Sequence, residues 1–502
     1  MDTKALRQKV LDLAIRGKLV PQDPNDEPAS VLLERIRQQK QQMVKEGKLK
    51  AKDIKNDTII FVGEDNLHYE KFSDGSVKCI EDEVPFGLPD GWAWVRLGNL
   101  SAAIQYGLSN SAEPQGTHRL LRITDIQDGK VDWNAVPFTT VNDPEAYLLK
   151  TGDIVFARTG ATVGKSFLIT ETPYPSVYAS YLIRIRLLGS LSPEYIYQFF
   201  DSACYWSQIT DKSVGVGQPN CNGTSLKELF IPLPPISEQL RIVPTAQALL
   251  AYVAKIDAEK KSLLSIIMAT KSKILDLAIR GQLIPQDPND EPASVLLERI
   301  RAEKEELIRQ GKIKRDKKES VIFKGEDNSY YQKVEADGSV VIQRVDVPPT
   351  WAVCCLQEIS YPVSTVGMQI KSEEIQKDGV FPVISQGQSF IDGYYSDESK
   401  VIYDSPIILF GDHTRNVKYI DFPFVVGADG TKLHKVIRAN ERYVYYWMCH
   451  ASQCIADRGY ARHYSLLQKE CFTLPPIAEQ IRIVNCIDQL FSQLDSIADA
   501  LL

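Results

Sequence analysis

Apolar residues recur at three- and four-residue steps through Val253, Ile256, Leu263, Ile267, Ile274 and Leu277, with Lys260 and Thr270 the two polar breaks in the series. Such a seam predicts a helix that packs lengthwise against another helix. It should run from about Ser237 to Ile279, roughly 60 Å at about 1.5 Å per residue. Pro244 should kink or delay its first turn, because proline has no amide proton to donate. A shorter apolar side, Leu32, Leu33, Ile36 and Met43, predicts a second helix, with Pro28 suited to the first helical position and Gly47 to the stop. Elsewhere the pattern becomes strand, polar turn, strand, as in "GDIVFARTGATVGKSFLI" (152–169) and "DSPIILFGDHTRNVKYI" (404–420).

The pattern is duplicated. "LDLAIRGKLVPQDPNDEPASVLLERIR" from Leu11 returns from Leu275 with 25 of 27 residues identical, at an offset of 264. "LPPISEQLRIV" from Leu233 returns as "LPPIAEQIRIV" from Leu474, at an offset of 241. Between these markers lie two unlike segments, roughly 92–232 and 351–473. The chain ends carry the long seam in halves: Ile487, Leu490, Leu494, Ile497 and Leu501 copy its front, and Leu6, Val10 and Leu13 its back. Residue 502 corresponds to 261 and residue 1 to 265, so the termini are expected end to end as a second, broken rod. The expectation is an α+β chain with two mixed α/β domains separated by an antiparallel pair of long coiled-coil helices, pseudo-twofold and circularly arranged. Two unrelated coiled-coil stretches are the alternative, and the register that continues across the termini makes it the poorer one.

Composition narrows the class. A chain of 502 residues with 44% hydrophobic and 25% charged residues has room for two to four ordinary globular domains. No apolar run reaches membrane-spanning length and "MDTKALRQKV" has no signal-peptide core, so the expected place is the cytoplasm, away from membranes. The nine cysteines are scattered, and Cys449-His450 with Cys454 lacks a second ligand pair, which favours a helix face over a metal site. The net charge of −7 speaks mildly against a chain that grips nucleic acid alone.

"GATVGKS" (160–166) invites a nucleotide-binding reading. It has three residues where the phosphate-binding loop needs four before Gly-Lys-Ser, and a strand follows where a helix should open. Together with the duplicated frame, "LDLAIRGKLVPQDPNDEPASVLLERIR", "IPLPPISEQLRIV" and "GDIVFARTGATVGK" make the chain resemble a specificity subunit of a type I restriction-modification system, over its whole length. The resemblance implies a repeated helical region (1–91), a first target-recognition domain (92–235), a central helical region with the spacer helix (236–346), a second target-recognition domain (347–475) and a closing helix (476–502) that pairs with the N-terminus. It implies a split, asymmetric site on double-stranded DNA, one half read by each domain. It also implies two docked methyltransferase subunits, with restriction subunits in the full complex. S-adenosylmethionine, ATP and Mg would belong to those partners and no cofactor to this chain.

On this reading the polar turns face DNA. In the first insert these are Arg119, Arg122, Thr124 and Asp125, then Arg158, Thr159, Thr162, Lys165 and Ser166, then Gln218, Asn220 and Asn222, with "QYGLS" (105–109) a weaker candidate. In the second they are Ser385, Gln386 and Gln388, then Asp412, His413, Arg415, Asn416 and Lys418, then Arg458, Tyr460, Arg462 and His463. Arg and Lys suit guanine edges or phosphates, Asn and Gln suit adenine, and Ser and Thr suit either. The alternative for each is ordinary turn chemistry. Neither insert is basic: 92–232 holds 11 Lys and Arg against 12 Asp and Glu, and 351–473 holds 12 against 14, so partners are expected to supply much of the hold on phosphate. No catalytic residue is expected. "VPPTW", "LPPIS" and "LPPIA" lack the Asn or Asp and the aromatic of an adenine methyltransferase loop. Two other functions fit parts of the pattern: a coiled-coil scaffold with two protein-binding domains, and a nucleotide-binding enzyme using residues 160–166.

Overall fold

The computed structural model describes residues 2–127, 129–212, 220–315, 320–326, 330–334, 340–343, 345–427 and 430–501. The chain divides into two units, Met1–Glu259 and Lys260–Leu502, and the boundary falls inside one helix, Ile236–Ile279. That helix runs through Pro244 without ending. The carbonyl left without a donor is that of Leu240, whose side chain is 63% exposed, so the break in the ladder falls on the solvent side.

In the first unit the helix Thr3–Ile15 starts on Asp2, whose carboxylate accepts from the amides of Lys4 and Ala5. It lies antiparallel to the start of the long helix, with Thr3 Oγ1 donating to Asp257 Oδ1 at 2.8 Å. Residues further along it, Arg7 and Leu11, face Gln247 and Leu250 across a cavity. The second helix, Ala29–Lys45, uses Pro28 as its N-cap instead of its first helical residue, and Gly47 closes it at φ +69°. A three-stranded antiparallel meander follows: Ile59–Val62, His68–Lys71 and Val77–Cys79. The first insert is pinched at its base, because its entering strand Ala93–Arg96 pairs antiparallel with its leaving strand Phe230–Leu233.

The second unit repeats this plan. Lys271, near the end of the long helix, pairs with Asp495 of the helix Ile477–Leu501, and Thr473 Oγ1 donates to the carbonyl of Ile279 at 3.0 Å, so these helices are antiparallel too. The helix Ala293–Arg309 and the strands Ser320–Lys324, Tyr330–Val334 and Val340–Gln343 form the equivalent module. The base of the second insert is Ala352–Cys355 against Cys471–Leu474.

Unlike in sequence, the two inserts are alike in topology. Each has a four-stranded antiparallel sheet, ordered Ser166–Leu168, Ile154–Ala157, Leu182–Leu187, Ser101–Tyr106 in the first and Val417–Ile420, Ile407–Gly411, Thr431–Val436, Ser360–Val363 in the second. Each adds a second sheet around one parallel pair, His118–Leu121 with Ser176–Tyr178, or Phe381–Ile384 with Phe424–Val426. The central strands read as unbroken apolar runs because both faces are covered. Ile154 and Phe156 enter one hydrophobic cluster while Val155 and Ala157 enter another.

The "PPISEQ" and "PPIAEQ" repeats are the joints between frame and insert. Gln239 Oε1 accepts from the amide of Ser192 at 3.2 Å, and Gln480 Oε1 from that of Asn440 at 2.8 Å. Trp92 Nε1 donates to Glu238 at 2.8 Å, and Trp351 Nε1 to Glu479 at 3.0 Å. Gly17 and Gly281, both at positive φ, let Pro89 and Pro348 pack so closely that a Cβ would stand 2.6 and 2.4 Å from a ring carbon.

One buried group makes the second unit sensitive to acid. His434, on the central sheet, is 2% exposed; its Nδ1 lies 3.2 Å from Ser360 Oγ and its Nε2 has no partner. Burial, with Lys432 adding to it, pushes its pKa down to about 4. A histidine free in the unfolded chain protonates near 6.5. The neutral folded form therefore keeps its full stability above pH 6.5 and loses it as pH falls toward 4, by about 1.4 kcal/mol per pH unit. In urea titrations at pH 7 and pH 4.5, His434→Leu should shrink the acid-induced loss by ~2 kcal/mol.

Candidate nucleic-acid interface

Strand register brings the polar turns of each insert to one edge. In the first insert Leu121 stands beside Tyr178 on parallel strands, Ala157 opposite Leu182 and Tyr106 opposite Ile183, so the segments after 106, 121, 157 and 178 emerge together. Backbone hydrogen bonds tie them: Ala179 to Leu121 at 2.9 Å, Arg158 to Tyr181 at 3.1 Å and Leu108 to Tyr178 at 2.8 Å. The exit loop joins the same edge. Thr159 and Asn220 form a bridge, the Cys221 amide donates to the Arg158 carbonyl at 3.0 Å, and the Gly223 amide donates to Tyr106 Oη at 2.9 Å.

The second insert repeats the edge. The Gly427 amide donates to Ile384 at 3.0 Å, the Asp412 amide to Gly430 at 2.7 Å and the His463 amide to Asp412 at 2.8 Å. Gln386 is its hub, with Oε1 accepting from the His413 amide at 3.0 Å and its carbonyl accepting from Thr414 Oγ1 at 2.6 Å and Asn416 Nδ2 at 2.9 Å.

The predicted residues divide by what holds them. Thr124, Lys165, Asn220, Gln388, Arg458, Tyr460 and Arg462 are exposed. Arg158 lies over the Tyr106 ring, 4.9 Å from its centroid, and His413 stacks on Tyr460 at 4.5 Å with the rings 7° apart. Both pairs offer flat, partly solvated surfaces of the kind bases and sugars pack on. Arg122 is clasped by Asp125 at 2.6 and 3.1 Å, and Arg415 by Asp457 at 2.6 Å, so each would have to exchange a carboxylate for a phosphate or base. Ser385 is likewise bonded to Asp392. Arg119 donates to the Val136 carbonyl at 2.6 Å and packs on Phe138, holding an edge strand. Thr162 closes its own turn on the Thr159 carbonyl, the Ser166 carbonyl accepts from Tyr197 Oη at 3.5 Å, and Asn222 caps a short helix through the Ser225 amide. Gln218 lies outside the described residues.

Three expectations are corrected. His463 is fully buried; its Nε2 accepts from the Arg458 amide at 3.0 Å and its Nδ1 faces the Asp412 carbonyl at 3.0 Å. Its amide makes the bond that Cys221 makes in the first insert, so it occupies a packing position and shapes the loop. Lys418 is 5% exposed, bonds to the Ser389 carbonyl, and has its pKa lowered by burial. Asp412, 3% exposed, accepts from the Tyr464 amide at 2.8 Å. Each sits in a stretch whose polarity reads as a surface turn, while tertiary packing turns the side chain inward.

Tyr181 is a surface residue that sequence reasoning passed over; it is 62% exposed beside Arg158. A bulky aromatic in the short link between two buried strands is the signal that would have found it. The "GATVGKS" stretch is a single 3-10 turn, Gly160–Thr162, followed by the strand Ser166–Leu168, with no helix N-terminus to meet a phosphate. Its Gly164, at φ +88°, is pressed on Trp206, where a Cβ would stand 2.6 Å from the ring.

A family model described as the type I restriction modification DNA specificity domain matches residues 89–266 and 348–501. The chain is 30% identical over 373 residues to the EcoEI type I restriction enzyme specificity subunit of Escherichia coli, covering 62% of this chain and 57% of that one. It is 30% identical over 375 residues to the EcoAI specificity subunit of the same species, covering 62% and 58%. The match thus spans little more than half the length of these relatives. A solved chain from work on complex assembly and conformational transition of the type I R-M system superposes with a TM-score of 0.50 at 18% identity, covering 83% of this chain and 94% of that one. At that identity the likeness speaks for the fold alone.

Proposed function

We propose a function for a chain that belongs to the type I restriction-modification DNA specificity family: it is the subunit that reads a split, asymmetric sequence on double-stranded DNA, one half per insert. The observation that carries this reading is the pair of edges. Two inserts of shared topology each gather three or four polar loops at one edge, and the loop residues differ between them. One presents Arg158, Tyr106, Tyr181, Lys165 and Asn220, the other His413, Tyr460, Arg458, Arg462 and Gln388. A common scaffold with different side chains suits two half-sites of different sequence.

The chain's own part is recognition. Methyl transfer and cleavage fall to partners: two methyltransferase subunits on the repeated frame, which also extrude the target base, and restriction subunits beyond them. S-adenosylmethionine, ATP and Mg act in those partners. Because neither insert is basic, the isolated chain should hold DNA weakly and the assembled complex tightly. The expected place of action is the cytoplasm; among the described residues no helix is long and apolar enough to cross a membrane.

Mapping methylated adenines in the host genome with and without this gene tests the reading. A two-part motif with an unspecified spacer should disappear when the gene is removed. An unchanged methylation map, with the partner genes intact and expressed, overturns it.

A further inference from the structure

The duplication exposes a difference between the units. In the first, the frame helices and the insert border a half-open cavity of about 440 Å³, lined among others by Trp133, Phe167, Leu168, Gln198, Gln247 and Leu250. Glu194 and Glu171 also line it, both exposed, as do Lys130 and the paired Arg7 and Asp201. The residues at the matching places of the second unit follow from shared hydrogen bonds. Tyr195 Oη donates to the Pro232 carbonyl and Tyr443 Oη to the Thr473 carbonyl, so Glu194 matches Arg442 and Gln198 matches Tyr446. The frame offset matches Gln247 to Asp488 and Leu250 to Phe491, and strand pairing matches Leu168 to Tyr419.

In the second unit these residues pack on one another. Tyr446 bonds to Asp488 and meets the Phe491 ring edge-on at 5.8 Å. Arg442 Nη2 donates to Asp488 at 2.8 Å, with its guanidinium 5.7 Å from the Tyr419 ring. The first unit thus lacks a phenol ring and a cation that its twin supplies from its own chain.

We propose that this cavity binds a small aromatic cation, a ring that carries an ammonium or guanidinium group. The ring fills the place of Tyr446 against Trp133, Phe167 and Leu250. The cation lies at the mouth beside Glu194, where the second unit has its arginine. A volume of this size is within the range of small-molecule sites.

Tyramine is the probe, with p-cresol as the uncharged control, titrated into the full chain and followed by ligand-observed NMR. Tyramine should saturate a single site, and p-cresol should bind about tenfold more weakly or worse, since it forgoes a charge-assisted contact. The variant Glu194→Arg, Gln198→Tyr, Gln247→Asp, Leu250→Phe rebuilds the second unit's packing. It should lose tyramine binding while its melting temperature stays level or rises. Glu194→Gln alone should bring tyramine down to the level of p-cresol. Absence of saturable tyramine binding to the folded wild-type chain overturns the proposal, as does equal binding by the rebuilt variant, or tyramine no better than p-cresol.

Discussion

Exchanging residues 92–232 for the corresponding insert of another family member should change one half of the methylated motif and leave the other half, and the methyl transfer itself, intact. The expectation follows from how the insert is attached. Its two ends leave the frame side by side, as the paired strands Ala93–Arg96 and Phe230–Leu233, so a graft cut there needs no new loop closure. The frame grips the insert through Trp92 with Glu238, Gln239 with the Ser192 amide, Arg7 and Gln8 with Asp201, and Glu70 with Arg96, and through one shared hydrophobic cluster. A donor that keeps Trp92, Arg96 and Asp201 and the apolar residues of that cluster should therefore seat in the same orientation. Adenine-methylation mapping by single-molecule sequencing is the readout. A graft that alters both halves, or neither, would separate sequence reading from the inserts and overturn the assignment.

Trp92→Ala should destabilise the first unit by about 3–5 kcal/mol, the cost of truncating a large buried aromatic. The ring is 9% exposed, meets Tyr195 edge-on at 6.4 Å, and donates from Nε1 to a carboxylate that is itself 2% exposed. Removing it leaves a cavity and a buried acceptor together. Trp92→Phe separates the two effects, keeping most of the volume while the acceptor goes unsatisfied, a loss of about 1–3 kcal/mol. Glu238→Gln is the counterpart. Burial raises the pKa of Glu238 above the ordinary glutamate range, against the opposing pull of Trp92 and Arg241. A carboxyl whose folded pKa is raised favours the fold below its unfolded pKa and loses that contribution as pH rises through the folded value. At pH 7 the neutral amide still accepts from Trp92, so Glu238→Gln should melt no lower than wild type. Below pH 4 the two should coincide. Urea and thermal denaturation at pH 7 and pH 4 check both, and a Trp92→Ala chain as stable as wild type would show that the joint carries no such weight.

Much of the frame was legible because it is written twice. The 25 identical residues of the first repeat include Gly17 and its copy Gly281, which the structure places under Pro89 and Pro348, and Asp26 and Asp290, which pair with Arg241 and Arg482. The long helix was legible from its seam alone, although Leu263, one of the seam residues, is 38% exposed. Burial along the seam is uneven, since Ile267 and Ile274 fall to 5% and 8%. The strand-turn-strand shape of 152–169 and 404–420 was legible too, because an apolar run of strand length interrupted by Gly, Thr and Asp has few other solutions.

The loops were legible as a set and not residue by residue. Polarity says that a turn is a turn. It does not say that Arg122 is clasped by Asp125, that Asn222 caps a helix, or that His463 stands where its twin has Cys221. Those outcomes depend on contacts between residues far apart in the chain. His463 lies 51 residues from Asp412, and Arg415 lies 42 from Asp457.

Local spacing, then, determined the helices, the duplicated frame, the joints at 233–243 and 474–484 and the presence of two inserts, because periodicity and repetition are properties of neighbouring residues. Tertiary structure decided that two dissimilar inserts share one topology, that their polar loops meet at one edge, and that a cavity remains in the first unit where Tyr446 and Arg442 fill the second. The reason is physical. Strand pairing and side-chain packing join segments tens to hundreds of residues apart, and which partner a side chain meets is set by the backbone that carries both.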